Sequence, residues 1–225
     1  MTRSSRTAPL AVAVLASGRG SNLQALIDAI AAGTLDARMV GVFSDKADAG
    51  ALQRARDAGI AAETLDPRAF ESRTAFDEAL FARIDACQPD LIVCAGYMRL
   101  ISADVIDARR GRVLNIHPSL LPEFKGLRTH AQALAAGARR HGASVHYVTA
   151  DLDGGPVIAQ VVVPVLPGDD AETLGRRVLV REHALLVAGI GLVAAGRIAL
   201  SGDDVTLDGA VVATPLQLGA NNQFP

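Results

Sequence analysis

The sequence predicts an α/β fold in which a mostly parallel sheet carries helices on both faces. Three short apolar runs have the composition of strands that are buried on both sides, at residues 10–16, 37–44 and 90–96. Each is followed by a segment with the three- and four-residue apolar spacing of an amphipathic helix, at residues 21–33, 47–59 and 72–87. Strands and helices that alternate in this way form βαβ units, so we expect a Rossmann-like sheet.

The second half of the chain continues this pattern and ends in a turn-rich segment. Further strands are predicted at residues 112–117, 142–150 and 156–165, and helices at residues 129–140 and about 172–195. Residues 196–212 have the pattern of a small hairpin. The expected organisation is a flexible N-terminus at residues 1–9, one domain at residues 10–199, and a C-terminal hairpin and tail at residues 200–225.

The composition excludes several classes of partner. With a net charge of -2 and half of its 225 residues apolar, the chain lacks the basic surface that binds nucleic acid. The uncharged segment at residues 184–196 is shorter than the roughly 20 residues that cross a bilayer, so we expect no membrane contact. The only two cysteines, Cys87 and Cys94, favour a reducing compartment, and a cytoplasmic protein is therefore expected.

A glycine-rich corner follows the first predicted strand and opens the first predicted helix. Gly18 and Gly20 allow the backbone to bend, and the first free N–H groups of the helix attract an anion. Ser21 and Asn22 add side-chain donors at the same point. These features favour a single phosphomonoester as the ligand.

Three other interpretations apply to this corner. A Walker A loop is excluded because no Gly-Lys-Ser or Gly-Lys-Thr follows. A dinucleotide fingerprint stays open, with Asp45 as the ribose partner, although Leu23 occupies its third glycine position. A glycine turn without any ligand also stays open.

Two further segments carry residues with acid-base chemistry. Asn115 and His117 are two positions apart near the end of a predicted strand, so their side chains share one face. Asp153 lies in a turn after the next strand, where a carboxylate beside His117 would favour the protonated imidazole. An ordinary core strand and an ordinary turn explain the same residues equally well. His117, His146, Asp153 and His183 could be proposed as metal ligands, but no metal-binding motif is present and no metal is expected.

Several segments, taken in order, resemble the folate-dependent phosphoribosylglycinamide formyltransferase family. The similarity extends from about residue 10 to residue 199 and is carried by SGRGSNLQALIDA, VFSDKADAGALQRARDAGI, AGYMRLIS, GRVLNIHPSLLPEFKG, HGASVHYVTADLDGGPVIAQ and REHA. The resemblance implies a formyltransferase fold and transfer of the formyl group of 10-formyltetrahydrofolate to the amine of glycinamide ribonucleotide, in purine biosynthesis. No metal is required for this reaction in the family.

The resemblance also implies roles for individual residues. Asn115 and a protonated His117 would stabilise the oxyanion, and Asp153 would support the charge on His117 and assist proton transfer. The ribonucleotide would contact Gly20, Ser21 and Asn22 through its phosphate and Glu182 through its ribose. The formylfolate would contact Asn115, the side chain of Arg73 and the backbone of Met98, Arg99, Leu100 and Ile101. The resemblance allows a homodimer and assigns no role to Arg128.

Relatives with the same catalytic trio are the main alternatives. Methionyl-tRNA formyltransferases carry an additional C-terminal RNA-binding domain, for which the residues after Ala199 leave no room. Formyltetrahydrofolate hydrolases usually carry a regulatory domain ahead of the first strand, which here begins near residue 10. A non-catalytic protein that binds a nucleotide or a folate is a third alternative. The family often has an aromatic residue and a proline after the REH sequence, whereas this chain continues with ALLVAGI.

Overall fold

The computed structural model describes residues 8–225, and the first seven residues of the predicted flexible N-terminus lie outside this range. The strands are β1 (Leu10–Leu15), β2 (Ala37–Ser44), β3 (Ala62–Thr64), β4 (Leu91–Cys94), β5 (Val113–His117), β6 (Arg140–Tyr147), β7 (Val157–Pro164), β8 (Ile198–Ser201), β9 (Asp204–Leu207), β10 (Ala210–Val211) and β11 (Leu216–Gln217). The α-helices are α1 (Ser21–Ala31), α2 (Gly50–Asp57), α3 (Arg73–Ala86), α4 (Ala103–Asp107), α5 (Thr129–Ala135) and α6 (Ala171–Ala194).

Eight of these strands form one sheet in the order β11-β7-β6-β5-β4-β1-β2-β3. The five neighbouring strands β5, β4, β1, β2 and β3 are parallel, whereas β6 is antiparallel to both β5 and β7. The chain winds outward from β1 through β2 to β3 and then returns to place β4 on the other side of β1. Such a reversal opens a crevice at the carboxyl ends of the two neighbouring strands, which is where ligands bind in open α/β sheets.

Helices cover both faces of the sheet, as predicted, because buried strands direct alternate side chains to opposite faces. In β1, Val12 and Val14 belong to the core beneath α1, α2 and α6. Ala13 and Leu15 belong to the core beneath α3 and α4. The apolar segment at residues 184–196 mostly lies inside α6, whose Leu185, Leu186 and Ile190 are fully buried. The α/β prediction is therefore confirmed.

Several boundaries differ from the prediction. The helix expected at residues 129–140 ends at Ala135, because Gly137 takes a left-handed backbone conformation with φ of 64° and the chain then enters β6 at Arg140. The short elements β3, α4 and β11 were not predicted. The hairpin of β8 and β9 gains a third strand, β10, and β8 spans the proposed boundary at residue 199.

No helix within residues 8–225 is both long enough and apolar enough to span a bilayer.

Candidate active site

A cavity of about 1060 Å³ opens at the carboxyl ends of β1 and β4. Its wall is built from the loops that follow β1, β4, β5 and β6, the loop that precedes α5, and one face of α6. The volume is at the upper end of the range for small-molecule sites, and an elongated ligand or two ligands fit in it. The cavity lies where the strand order reverses between β1 and β4, which is the expected position for a ligand site in such a sheet.

The glycine-rich corner forms one end of this cavity. Gly20 has φ of 76° and immediately precedes α1, whose first residues are Ser21 and Asn22. A Cβ atom on Gly20 would lie 2.6 Å from the Cα atom of Ala51, so only glycine lets α1 approach α2 this closely. No side chain caps α1, and its first N–H groups therefore remain free to bind an anion.

Asn22 links this corner to α6. Its Nδ2 atom donates a hydrogen bond of 2.6 Å to Oε1 of the buried Glu182. Burial raises the pKa of Glu182 above its usual value, while the hydrogen bond from Asn22 opposes that shift. The buried Oδ1 atom of Asn22 has no hydrogen-bond partner within residues 8–225. A carboxylate and an unused amide oxygen therefore lie side by side, and both can accept hydrogen bonds from ligand hydroxyl groups.

Asn115, His117 and Asp153 meet in the wall of the same cavity. The Nδ1 atom of His117 lies 3.5 Å from one carboxylate oxygen of Asp153, and Nδ2 of Asn115 lies 3.5 Å from the other. Asn115 and His117 share a face of β5, whereas Asp153 arrives from the loop after β6. The structure thus brings together the three side chains that the resemblance names, and their chemical roles stay predictions.

The His117 ring has an acceptor on each side. Its Nε2 atom lies 3.1 Å from the backbone oxygen of Phe124, which can only accept, so this nitrogen carries a proton. Its Nδ1 atom faces the Asp153 carboxylate. Both ring nitrogens of His117 therefore face oxygen acceptors.

Asp153 is held in place from its own loop and from a neighbouring one. It adopts a left-handed conformation with φ of 45°, which aspartate tolerates better than most residues. Its Oδ2 atom accepts a hydrogen bond of 2.9 Å from the backbone N–H of Gly126. The carboxylate is therefore fixed before any ligand arrives.

The segment from Met98 to Ile101 forms the opposite wall of the cavity, after β4. The Met98 N–H donates to Ser17 Oγ at 3.0 Å, and Ser17 Oγ in turn donates to Asp45 Oδ1 at 2.6 Å. Asp45 therefore anchors this wall, which weakens the dinucleotide interpretation in which it binds a ribose. Arg99 lies over the ring of Phe76 at 5.1 Å.

Large apolar side chains surround the mouth of the cavity. Met98 is 63% exposed and Leu127 is 71% exposed, and Leu100 and Leu152 are about half exposed. They come from three separate loops, and all four line the cavity. Exposed apolar side chains that are grouped in this way are typical of a site for an apolar or aromatic ligand.

One predicted residue lies apart from the others. Gly20, Ser21, Asn22, Glu182, the segment 98–101 and the catalytic trio all line the cavity, whereas Arg73, the exposed first residue of α3, does not. Arg128 lies at the cavity with an exposed side chain.

Two cationic cavity residues, Arg19 and Arg176, were missed in the sequence, and Arg176 is paired with Glu172. His146, which the sequence offered only as a possible metal ligand, contacts Asn115. Arg19 lies inside the glycine-rich corner, but no local sequence pattern marks Arg176. Cys94 also lines the cavity, but burial raises the pKa of its thiol to about 12, which keeps it protonated and poorly nucleophilic. No three potential ligand side chains within the described residues are arranged to hold a metal ion.

Comparison with known proteins gives a consistent result. The formyl transferase family matches residues 10–190. A phosphoribosylglycinamide formyltransferase of Escherichia coli strain K12 is 50% identical over 198 residues, which cover 88% of this chain and 93% of that protein. The solved structure of a phosphoribosylglycinamide formyltransferase from Coxiella burnetii is 46% identical, has a TM-score of 0.88, and is matched over 91% of this chain and 96% of that one. A formyltetrahydrofolate deformylase structure from Pseudomonas putida KT2440 is more distant, at 28% identity and a TM-score of 0.78 over 89% of this chain and 70% of that one.

Proposed function

The chain belongs to the formyl transferase family, and we propose that it transfers the formyl group of 10-formyltetrahydrofolate to the amine of glycinamide ribonucleotide, as a step of purine biosynthesis. The observation that carries this proposal is the meeting of Asn115, His117 and Asp153 between the glycine-rich corner and an apolar rim. The products are N-formylglycinamide ribonucleotide and tetrahydrofolate.

The ribonucleotide is assigned to the end of the cavity at the glycine-rich corner. Its phosphate would accept hydrogen bonds from the backbone of Gly20 and from Ser21 and Asn22 at the start of α1, while Arg19 supplies positive charge nearby. Its ribose hydroxyls would donate to Glu182, whose carboxylate is already held by Asn22. This orientation directs the glycinamide amine toward the trio.

The formylfolate is assigned to the wall formed by residues 98–101. The apolar rim of Met98, Leu100, Leu127 and Leu152 suits its ring system, and the backbone of the segment would bind the polar edge of the pterin. The exposed Arg73 lies outside the cavity, and we assign it to the flexible acidic end of the folate. Asn115 would contact both ligands.

The reaction is addition of the amine to the formyl carbon followed by loss of the folate nitrogen, with no covalent bond to the protein. The neutral amine nitrogen forms a bond to the formyl carbon, the bond from that carbon to the folate nitrogen breaks, and the amine proton leaves for the departing nitrogen. An Asn115 N–H and the His117 imidazolium stabilise the negative charge that develops on the formyl oxygen. Asp153 balances the charge of His117 and receives and returns a proton through water. No nucleophilic side chain is needed, in agreement with the protonated Cys94 thiol.

Partners and location complete the proposal. Both substrates are small molecules, and neither a metal nor a nucleic acid has a role in this reaction scheme. Cys87 and Cys94 are free thiols, which agrees with a cytoplasmic location. A homodimer stays a prediction.

Release of tetrahydrofolate from 10-formyltetrahydrofolate, followed by absorbance with a chelator present, tests the proposal. We expect release only when glycinamide ribonucleotide is added. The similarity to the deformylase makes hydrolysis the second candidate, and release without the ribonucleotide would establish it. Absence of release in both reactions would leave a binding protein.

A further inference from the structure

We propose that His146 is a positioning residue that fixes which end of the Asn115 amide faces the reacting centre. This inference rests on the proposed formyl transfer, because it concerns how Asn115 comes to present an N–H group to the formyl oxygen. His146 lies on β6 directly opposite Asn115 on β5. Its side chain is buried, and it lines the cavity wall behind the trio.

The hydrogen bonds of His146 determine its tautomer. Its Nδ1 atom lies 2.9 Å from the backbone oxygen of Tyr147, which can only accept a hydrogen bond. Nδ1 therefore carries a proton. Burial lowers the pKa of His146 to about 4, against the opposing effects of the Tyr147 carbonyl and Asp153 and with the help of His117 and Lys125. At neutral pH the ring is neutral, and its Nε2 atom carries a lone pair rather than a proton, although Oδ1 of Asp153 lies 3.7 Å away.

This lone pair determines the orientation of the Asn115 amide. Nε2 of His146 and the side-chain nitrogen of Asn115 are 3.1 Å apart. A bare imidazole nitrogen accepts a hydrogen bond from the amide NH₂ group, whereas a flipped amide would place its oxygen against the same lone pair. The contact with His146 therefore allows only one of the two amide orientations.

The second N–H of Asn115 is the one that can donate to the formyl oxygen of the substrate. It faces Oδ1 of Asp153 at 3.5 Å, which is too long for a strong hydrogen bond and leaves this N–H available to a closer acceptor. A formyl oxygen that gains negative charge is such an acceptor. If the amide were flipped, its oxygen would face this charge and would raise the barrier to reaction.

An irregularity in strand pairing next to His146 also supports its role in positioning Asn115. The pairing of β6 with β7 shifts by one residue between Val145 and His146. Irregularities of this kind redirect side chains and occur next to active sites. Here the shift coincides with the residue that contacts Asn115.

Two substitutions separate the contact with Asn115 from the contact with Tyr147. His146→Asn places an amide close to the position of Nδ1, which keeps a donor near the Tyr147 oxygen and removes the acceptor for Asn115. His146→Gln places an amide close to the position of Nε2, which keeps an acceptor for Asn115. We expect kcat to fall about 30-fold for His146→Asn and to stay within about fivefold for His146→Gln, with KM for both substrates changed less than about threefold.

A matched control and a double-mutant cycle complete the test. His183→Asn, which removes a half-buried imidazole outside the cavity, is expected to keep kcat within about twofold. In an Asn115→Ala background, His146→Asn should cost less than about twofold, because its effect passes through Asn115. Equal losses for the two His146 variants, or the full loss in the Asn115→Ala background, would overturn the inference.

A measurement that needs no turnover keeps this test separate from that of the proposed function. In ¹⁵N-resolved spectra of the wild-type protein near pH 7, we expect His146 to be a neutral ring with its proton on Nδ1. A proton on Nε2 would contradict the inference whether or not the protein transfers formyl groups. Absence of formyl transfer with the expected tautomer present would instead count against the proposed function alone.

Discussion

At the scale of single residues, backbone atoms orient two of the three side chains that we assign to catalysis. His117 is oriented by the Phe124 oxygen and Asp153 by the Gly126 N–H, and both belong to the loop between β5 and α5. Buried side chains on the neighbouring strands hold this loop. Gln160 donates to the Leu121 oxygen at 2.8 Å, and Ser144 donates to the Ser119 oxygen at 2.7 Å. The geometry of the trio is therefore fixed in advance, which is how a polar site acts on a transition state.

Asp153→Asn tests the role assigned to the carboxylate. The substitution removes the charge that faces His117 but leaves an oxygen that can accept from Gly126. We expect kcat to fall about 1000-fold while KM for the ribonucleotide changes less than about threefold. Steady-state kinetics at pH 7.5 measure both constants. A kcat within tenfold of the wild type would contradict the assigned role.

Replacing both Ser21 and Asn22 by alanine tests the phosphate corner. The loss of donors to a charged phosphate should raise KM for the ribonucleotide about tenfold or more and leave KM for the formylfolate within about threefold. Thr34→Ala, just beyond the other end of α1, is the matched control and should change neither constant. If both constants rose equally, the corner would not be a separate phosphate site.

At the scale of elements, close approach between helices shapes the corner. Gly20 combines a left-handed backbone with contact against Ala51 at the start of α2, and the Ala51 N–H donates to the Gly18 oxygen at 3.1 Å. The first turn of α2 thus supports the loop from behind. A change in the spacing of α1 and α2 would move the N–H groups that face the proposed phosphate site.

Gly20→Ala should therefore affect stability and binding together. The added Cβ meets backbone at 2.6 Å and the left-handed conformation is strained, so we expect the free energy of unfolding to fall by at least about 2 kcal/mol, with a raised KM for the ribonucleotide. Gly33→Ala is the control, because Gly33 has φ of 68° but no atom within 4 Å of an added Cβ. We expect a loss of about 1 kcal/mol and an unchanged KM. Urea unfolding and steady-state kinetics distinguish the two, and equal effects would show that strain alone matters.

At the scale of the whole molecule, the sheet brings distant segments into one cavity and also buries histidines. The N-terminal half supplies the corner, β5 and the loop after β6 supply the trio, and α6 closes the site through Glu182. The C-terminal tail is tied to the same body, because β11 pairs with β7 and Arg181 of α6 donates to the Gly219 oxygen. Burial lowers the pKa of both His141 and His146 to about 4.

These two histidines make the stability of the fold dependent on pH. Between pH 6.5 and about pH 4 the unfolded chain binds a proton on each ring and the folded protein does not, so the free energy of unfolding should fall as the pH falls through this window. Urea unfolding at pH 7.5, 6 and 5 measures the decline. In His141→Gln the decline should be shallower, since one of the contributing histidines is gone; burial also lowers the pKa of His130 and His183. A free energy of unfolding that is constant over this range would contradict the prediction.

The sequence by itself determined the fold class, the family and eleven of the residues that line the cavity. Continuous apolar strands and helical periodicity are local consequences of burial on both faces of a sheet, and motifs such as SGRGSN and NIHPSLLP keep their chemistry in short segments. The roles of Ser21, Asn22, Glu182 and the trio stay predictions, although the fold brings these residues together.

Only the tertiary structure decided what each side chain contacts. The position of Arg73 outside the cavity, the acceptors on both sides of His117 and the contact between His146 and Asn115 depend on strand order and register. Strands β3 and β11 and helix α4 were missed for a related reason, since each is too short to show a periodicity and forms only against its neighbours. Local sequence sets which residues are buried, whereas the pairing of distant strands sets which buried polar groups meet.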